Sequence, residues 1–558
     1  MIRANNSTTG LPMKKIIIHA ASLLLVTIMA SCGPGPEKLA DRLIETMTMD
    51  EKIGQMLVAG VPGSAISPAS AGIIHRYLPG GIIFYGYNIG DISGMSSFIQ
   101  ELQKESMAAS GIPLFVSIDQ EGGRVKRITD GATQFPGNMA MGVINDKGLT
   151  NRAARILGME LRLCGINMNL APDIDVNNNP LNPVINTRSF GASVPVVVTL
   201  GRSYITGLQK SRCLAVAKHF PGHGDTHQDS HKTLPAIHYG RDRLDRVELA
   251  PFREAVRAGV ACVMTAHIAY PTILGSDEPA TLSPYFLTGV LRNEMKFNGI
   301  IISDDMEMHA ISKKMGLDEA AVRTVLAGSD IILVSTSGSS VPLIVNGLKN
   351  AVREGVITEE RINASVRRIL AAKLRYGIMT TTGKEVLPGE VRYRDSWMKL
   401  LEKAGEINSE LSRKAICFSG PGALPVSGTW NRYDRVAFIS DSHVFLEMVR
   451  SVFGERVEVY RWKDHGKSFL NRGKTLVYCH VDRVDNGTSA ALNVFKTRKE
   501  ADMVVLSTGN PYPLLLMDER PPVLFSLSNT AESMGQMVRC LDGEFSPRKD
   551  YAGILGVQ

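Results

Sequence analysis

The segment CLAVAKHFPGHGDTHQDSH, residues 213–231, joins an apolar run to a loop that is rich in ionisable side chains. The run from Cys213 to Ala217 has the composition of a buried β-strand. Pro221 and Gly222 end the run, because proline lacks the backbone N–H that a strand or helix needs and glycine favours turns. We therefore interpret this segment as a strand whose carboxyl end carries functional residues.

Histidines recur at every fourth position of this segment, at His219, His223, His227 and His231. On a helix, that spacing would place the imidazoles on one face, where they could bind zinc. The proline and glycines disfavour a helix, so we expect no metal, although a loop can also bring histidines together on an ion. A polar surface loop would explain Asp225 and Ser230, but not a Lys-His pair at a strand end.

A catalytic interpretation rests on Asp229 and His231. In an irregular loop, a carboxylate two residues away can hold one ring nitrogen and leave the other facing a substrate. The negative charge favours the protonated ring and moves its pKa toward the operating pH, where histidine can donate and then accept a proton. The pair is therefore a candidate for general acid/base catalysis.

The motif KHFPGHGDTHQDSH resembles the signature of the β-N-acetylhexosaminidase branch of glycoside hydrolase family 3. In that family, the loop after the fifth barrel strand supplies an Asp-His acid/base pair. The resemblance implies that His231 is the proton donor and that Asp229 orients it. It also implies that Lys218 and His219 form hydrogen bonds to hydroxyl groups of the terminal sugar.

Eight β-rich runs, each followed by enough chain for a helix, predict a (β/α)8 TIM-like barrel. We predict its strands at Gln55–Ala59, Gly81–Tyr85, Leu114–Asp119, Asn167–Asp175, Leu214–His219, Cys262–His267, Gly299–Asp304 and Asp330–Ser335. Polar residues lie at or just after the ends of several of these strands. Barrel enzymes place their active sites at that end.

Two further loops resemble the family. The pattern DQEGGRV-x-R, which begins at Asp119 and ends at Arg127, is similar to its sugar-binding loop. The resemblance assigns both residues to substrate binding. The stretch that contains Arg188 is similar to the segment whose arginine contacts substrate, whereas Asp173 stands where relatives usually carry an apolar residue.

The pattern SDD-x-x-M, which starts at Ser303, follows the seventh predicted strand. A helix N-cap would explain one of these three polar residues, but not two consecutive aspartates. The pattern resembles the nucleophile motif of the family. The resemblance makes Asp304 the nucleophile, and we assign Asp305 to the cap.

At 558 residues the chain is too long for one hydrophobic core. We expect the barrel at 37–379, a linker and helix at 380–412, and a smaller doubly wound α/β domain at 413–558. The strands of the second domain are predicted at Arg435–Ile439, Arg456–Tyr460, Leu476–Val481, Met503–Ser507 and Val523–Leu527.

The first 32 residues have the pattern of an export signal. Lys14 and Lys15 precede an apolar run, and Met29-Ala30-Ser31-Cys32 resembles a bacterial lipobox. We therefore expect lipidation at Cys32 and a location in the cell envelope, anchored to the outer face of a membrane or periplasmic. The alternative is a plain secretory signal in which Cys32 is incidental.

Charge and motifs exclude several classes of protein. The net charge of +7 is not concentrated in any Lys/Arg block, so we expect no nucleic-acid partner. Both Gly-Lys-Ser/Thr sequences lack the first glycine of a phosphate-binding loop, and no G-x-S-x-G motif occurs. Nothing calls for a metal or an organic cofactor.

The resemblance implies a retaining exo-β-N-acetylglucosaminidase. Its expected substrate is terminal N-acetylglucosamine on a glycan or muropeptide, such as a peptidoglycan fragment. Three alternatives stay open: a β-glucosidase of the same family, a phosphorylase, and a lipid-anchored sugar-binding protein without catalysis. A histidine acid/base carries no permanent negative charge to repel phosphate, which keeps the phosphorylase in consideration.

Overall fold

The computed structural model describes residues 35–230, 232–335, 340–380, 393–462, 474–481, 502–517 and 520–557. The predicted signal segment, including Cys32, and the predicted proton donor His231 lie outside these ranges. Among the described residues, no helix combines the length and apolar character that a membrane crossing requires.

An eight-stranded parallel sheet forms the first unit. Its strands are β1 Leu57–Gly60, β2 Gly81–Phe84, β3 Phe115–Ile118, β4 Met168–Asn169, β5 Leu214–Phe220, β6 Cys262–Thr265, β7 Ile300–Ile302 and β8 Ile332–Val334. The sheet runs in the order β7-β6-β5-β4-β3-β2-β1-β8, and a bridge between Ile302 and Ile331 brings its two edges together. The predicted barrel is therefore confirmed.

Helices precede, separate and follow these strands. They span Pro36–Thr46, Met49–Gln55, Pro68–Tyr77, Ile92–Ser110, Asn138–Ile144, Lys147–Leu163, Val194–Lys210, Arg241–Arg246, Leu249–Arg257, Pro271–Leu274, Tyr285–Glu294 (a π-helix), His309–Ser312, Leu317–Ala327, Ser340–Arg353 and Glu359–Arg375. Their apolar faces pack on strands that are buried along their whole length. This packing holds the strand ends in fixed positions.

Strand β4 is much shorter than predicted. Pro172 has no N–H to give to the sheet, and pairing beyond it is limited to a bridge between Asp173 and Lys218. The chain then leaves the sheet as a long loop to Ser193, where the next helix begins. In contrast, β5 continues one residue beyond the prediction, to Phe220.

A six-stranded sheet forms the second unit. Its strands are β9 Cys417–Ser419, β10 Arg435–Ile439, β11 Glu458–Tyr460, β12 Thr475–Val481, β13 Asp502–Ser507 and β14 Val523–Phe525, in the order β11-β10-β12-β13-β14-β9. All neighbours are parallel except β14 and β9, which are antiparallel. The prediction missed β9, which is only three residues long.

Five more α-helices lie in the described residues of this half of the chain. They span Tyr393–Lys414, His443–Phe453, Tyr512–Leu515, Ala531–Asp542 and Ala552–Leu555. The first of them packs against the barrel helix Lys147–Leu163. Apolar residues of both units therefore form one continuous cluster, which includes Tyr512 and Leu555.

Candidate active site

A cavity of about 390 Å³ lies where the carboxyl ends of the barrel strands meet. The predicted site residues that line it are Asp119, Arg127, Arg188, Lys218, His219, Asp229 and Asp304. They come from the ends of four strands, β3, β4, β5 and β7, or from the loops that follow them. The fold thus brings together every predicted catalytic or sugar-binding side chain that the structure describes.

Lys218 lies between two carboxylates on the wall of the cavity. Its Nζ is 2.8 Å from Asp119 Oδ1 and 2.8 Å from Glu121 Oε1. Arg127 Nη2 is 3.2 Å from the other oxygen of Asp119. Burial alone would raise the pKa of Asp119, but the charges of Lys218 and Arg127 outweigh burial and lower it. Asp119 is therefore held ionised, and its oxygens can only accept hydrogen bonds.

Arg188 is held by a bidentate ion pair with Glu121. Its Nε and Nη2 donate to the two Glu121 oxygens at 3.0 and 2.8 Å. The pKa of Glu121 is lowered, because Arg188 and Lys218 together overcome the opposing effect of burial. Glu121 thus orients two predicted sugar-binding cations at once.

His219 is a neutral residue at the cavity wall. Burial lowers its pKa well below the usual value, and the charges of Arg188 and Lys218 act in the same direction. Its Nδ1 lies 2.8 Å from Asp175 Oδ2, so the Nδ1 hydrogen is donated to that carboxylate. The unprotonated Nε2 then accepts a hydrogen bond from Arg188 Nη2 at 3.3 Å.

His223 supports the loop that follows β5. It is fully buried, and burial lowers its pKa to about 3, so the ring is neutral. The backbone N–H of His223 donates to Asp175 Oδ1 at 2.7 Å, and its Nε2 pairs with Ser230 Oγ at 3.0 Å. His223 therefore links the start of this loop to Ser230, the residue next to the predicted proton donor.

Asp229 and Ser230 line the cavity on the β5 side. The carbonyl of Asp229 accepts hydrogen bonds from the N–H groups of Lys232 and Thr233, at 2.9 and 3.0 Å. The chain on both sides of position 231 is thus connected by backbone bonds. His231 itself lies outside the described residues.

Asp304 lines the same cavity from the end of β7 and is half-buried. One of its carboxylate oxygens accepts the N–H of Asp305 at 2.8 Å. Asp305 Oδ1 accepts the N–H groups of Glu307 and Ser335, each at 3.1 Å. Asp305 therefore caps this turn and joins it to the end of β8. It is not the helix N-cap predicted from the sequence, because the next helix begins at His309 and has Met308 at its N-cap position.

Asp173, Asp175 and His219 form a group whose ligand-type atoms lie within 4.8 Å of one another. Such a group could in principle hold a cation. However, Arg188 Nε is only 3.7 Å from Asp173 Oδ2, and the Asp175 oxygens already accept N–H groups of His219 and His223. A metal ion would have to displace the guanidinium, so these residues fit a metal poorly.

The buried carboxyl group of Asp173 should make the stability of the folded protein depend on pH. Burial raises its pKa well above the usual value, and the charge of Asp175 adds to this effect. Because the folded state then binds the proton more tightly than the unfolded chain, stability falls as pH rises above about 4, by up to about 1.4 kcal/mol per pH unit. The isosteric change Asp173→Asn should flatten this slope, as measured by urea unfolding between about pH 4 and 7.

Asp146→Asn is the control, because the effect of Asp146 has the opposite sign. The N–H of Leu149 lowers the pKa of Asp146 at a helix N-terminus, so this carboxylate adds stability above its unfolded pKa and loses it as the pH falls. Unfolding curves of Asp173→Asn and wild type that stay parallel at every pH would contradict the assignment.

Some cavity residues were missed by the sequence analysis. Tyr85, at the end of β2, lines the cavity, and the guanidinium of Arg127 lies 5.7 Å from the centroid of its ring. Leu170, Met264 and Leu333 supply an apolar lining from three other strands. In the sequence, these three apolar residues appear only as part of the apolar pattern of the strands. That pattern does not distinguish a cavity wall from the core.

Comparison with known proteins agrees with this geometry. The model of the glycosyl hydrolase family 3 N-terminal domain matches residues 48–372. The chain is 36% identical over 334 residues to Beta-hexosaminidase A of Pseudoalteromonas piscicida, a match that covers 56% of this chain and 56% of that protein. It is 34% identical over 333 residues to Beta-hexosaminidase LpqI of Mycobacterium tuberculosis, which covers 58% of this chain and 82% of that protein.

A solved structure is similar over nearly the whole chain. It is a glycoside hydrolase family 3 beta-N-acetylglucosaminidase from Paenibacillus sp. str. FPU-7, with a TM-score of 0.80 and 32% identity, covering 90% of this chain and 98% of that one. The family model spans more than half of the chain and contains every described residue assigned above to the site. The resemblance seen in the motifs is thereby confirmed, and the chain belongs to glycosyl hydrolase family 3.

Proposed function

We propose that this chain is a retaining exo-β-N-acetylglucosaminidase. The observation that carries the proposal is the shared cavity: Asp304 lines it from β7, and Asp229 and Ser230, which directly precede His231, line it from the loop after β5. A retaining glycosidase needs a nucleophile and a proton donor on opposite sides of the scissile bond. The beta-hexosaminidase names of the relatives support the same activity.

In the first step, a carboxylate oxygen of Asp304 attacks the anomeric carbon of the sugar. The bond from that carbon to the leaving oxygen breaks, and the oxygen takes a proton from His231, which Asp229 orients. In the second step, water attacks the same carbon, His231 takes a proton from the water, and Asp304 is released. Two displacements at one carbon retain its configuration.

The polar wall formed by Asp119, Lys218, Arg127 and Arg188 suits the hydroxyl groups of a terminal sugar. Its charges are fixed by ion pairs before substrate arrives, so little reorganisation is needed on binding. Apolar side chains of Leu170, Met264 and Leu333 line the rest of the cavity. This combination of a few oriented polar groups with apolar walls is typical of small-ligand sites.

Paired assays test the proposal. We expect hydrolysis of an aryl β-N-acetylglucosaminide with a kcat/KM at least about tenfold above that for the aryl β-glucoside. Product analysis in phosphate buffer should give free N-acetylglucosamine. Preference for the glucoside would support a β-glucosidase, a sugar 1-phosphate product a phosphorylase, and tight binding without turnover a sugar-binding protein.

We further propose that the protein is anchored in the cell envelope through Cys32 and acts there on fragments of peptidoglycan. The lipobox-like sequence Met29–Cys32 supports the anchor. Mass spectrometry of the mature N-terminus should show a lipid on Cys32, and release of N-acetylglucosamine from purified muropeptides should occur. A mature chain without lipid would contradict the anchor, and muropeptides left intact would contradict the peptidoglycan substrate.

A further inference from the structure

The second domain contacts the barrel loop that carries Arg188. Within this contact, Asn177 Nδ2 donates a hydrogen bond to the hydroxyl oxygen of Tyr512 at 3.3 Å. The same hydroxyl donates to the carbonyl of Leu555 at 3.0 Å. Tyr512 is fully buried. Its hydroxyl therefore joins one polar group of the barrel to one of the second domain.

Asn177 also binds the turn that contains Arg188. Its Oδ1 accepts the backbone N–H of Asn186 at 3.0 Å, and its own N–H donates to the carbonyl of Gly191 at 3.0 Å. Asn186 has a φ of 47° and begins the single 3-10 turn that ends at Arg188. The backbone position of the arginine thus depends on Asn177.

The far end of the same loop also contacts the second domain. The N–H of Ala192 donates to the carbonyl of Ile554 at 2.7 Å. A Cβ at Gly191 would lie 2.5 Å from that carbonyl oxygen, so the two backbones approach too closely for any side chain there. The second domain therefore holds the Arg188 loop on both sides of the turn.

We propose that Tyr512 is a positioning residue for substrate binding, acting through Asn177 and the 186–188 turn on Arg188. The described cavity residues all lie between Ile83 and Ser335, so the second domain acts without touching the sugar. Glu121 fixes the guanidinium of Arg188, whereas the Tyr512 contact fixes the backbone from which it extends. The role in substrate affinity rests on the proposed function.

Tyr512→Phe tests the inference, because it keeps the ring and removes only the hydroxyl. We expect KM for an aryl β-N-acetylglucosaminide to rise about fivefold, the loss of roughly one hydrogen bond, with kcat within about twofold of wild type. Hydrogen exchange at the amides of residues 186–192 should also become faster.

Tyr478→Phe is the matched control. Tyr478 is equally buried in β12, and its hydroxyl donates to Pro425 O at 2.6 Å and accepts from Trp430 Nε1 at 3.0 Å, both within the second domain. It should leave KM and exchange at 186–192 unchanged. Asn177→Ala also removes the acceptor of the Asn186 N–H, so it should raise KM at least as much as Tyr512→Phe. The two changes should be non-additive because they break the same connection.

Wild-type KM and wild-type exchange in Tyr512→Phe would overturn the inference. An equal rise of KM in Tyr478→Phe would also overturn it, because the effect would then be general loosening of the second domain. If the wild type hydrolyses no N-acetylglucosaminide, the proposed function fails, and the exchange comparison still decides whether Tyr512 holds the loop.

Discussion

Replacing Asp304 with asparagine should lower kcat on an aryl β-N-acetylglucosaminide by about 10⁴-fold or more. The amide is nearly the same size as the carboxylate but is a far weaker nucleophile toward the anomeric carbon. Because it can still accept the N–H of Asp305, the turn at the end of β7 should keep its shape. Steady-state kinetics, with thermal unfolding as a check on folding, measure the effect.

Asp305→Asn is the control for Asp304. Asp305 also lines the cavity, and burial raises its pKa, but its oxygen is used to cap the turn and to accept the N–H of Ser335. We expect a much smaller loss of activity, about tenfold or less, because asparagine can still accept those bonds. Equal losses in both variants would contradict the assignment of the nucleophile.

Azide offers a chemical test of the same assignment. In Asp304→Ala, azide can enter the space of the missing carboxylate and attack the anomeric carbon while the aryl group leaves. The product should be a glycosyl azide of inverted, α configuration, because only one displacement occurs. A β-configured azide would place the nucleophile elsewhere.

Replacing His231 with alanine should have an effect that depends on the leaving group. For a disaccharide, whose departing oxygen needs a proton, kcat/KM should fall by roughly 10² to 10⁴-fold. For a dinitrophenyl glycoside, whose leaving group departs without protonation, kcat/KM should stay near the wild-type value. Because His231 is also proposed as the base of the second step, a burst of dinitrophenol should precede slow turnover.

Two further variants test whether the effect is specific to the Asp229–His231 pair. Asp229→Asn should show the same dependence on the leaving group with a smaller loss, because the histidine remains but is no longer held by a charge. His227→Ala is the control, since His227 is exposed and its Nδ1 pairs with Asn179. Equal losses of His231→Ala on both substrates would remove its role as the acid.

The barrel could be predicted because its strands are short apolar runs and its chain order is regular. The polar residues placed from the sequence at the ends of the third, fifth, sixth and seventh strands lie within two residues of the observed ends, whereas Asp175 lies six residues beyond the end of β4. The extent of β4 was overpredicted, because Ile174 and Val176 continue the β-like alternation beyond Pro172, although the proline has no N–H to give to the sheet. Strand β9 was missed because its pairing depends on β14, more than a hundred residues later.

The sequence predicted which residues form the site, but not the ion pairs and hydrogen bonds between them. The motifs identified Asp119, Lys218 and Arg188. They did not show that Glu121 binds both Lys218 and Arg188. That arrangement arises only when the ends of β3, the β4 loop and β5 meet in space. The contact of Tyr512 with Asn177 was equally hidden, because 335 positions separate the two residues.

The central claim is that Asp304 becomes covalently bound to the sugar inside this cavity. A fluorinated N-acetylglucosamine derivative with a good leaving group should trap the glycosyl-enzyme, because fluorine slows its hydrolysis. Peptide mass spectrometry should then find the sugar as an ester on Asp304 at one sugar per chain. A label on any other residue, or turnover with no label, would contradict the account.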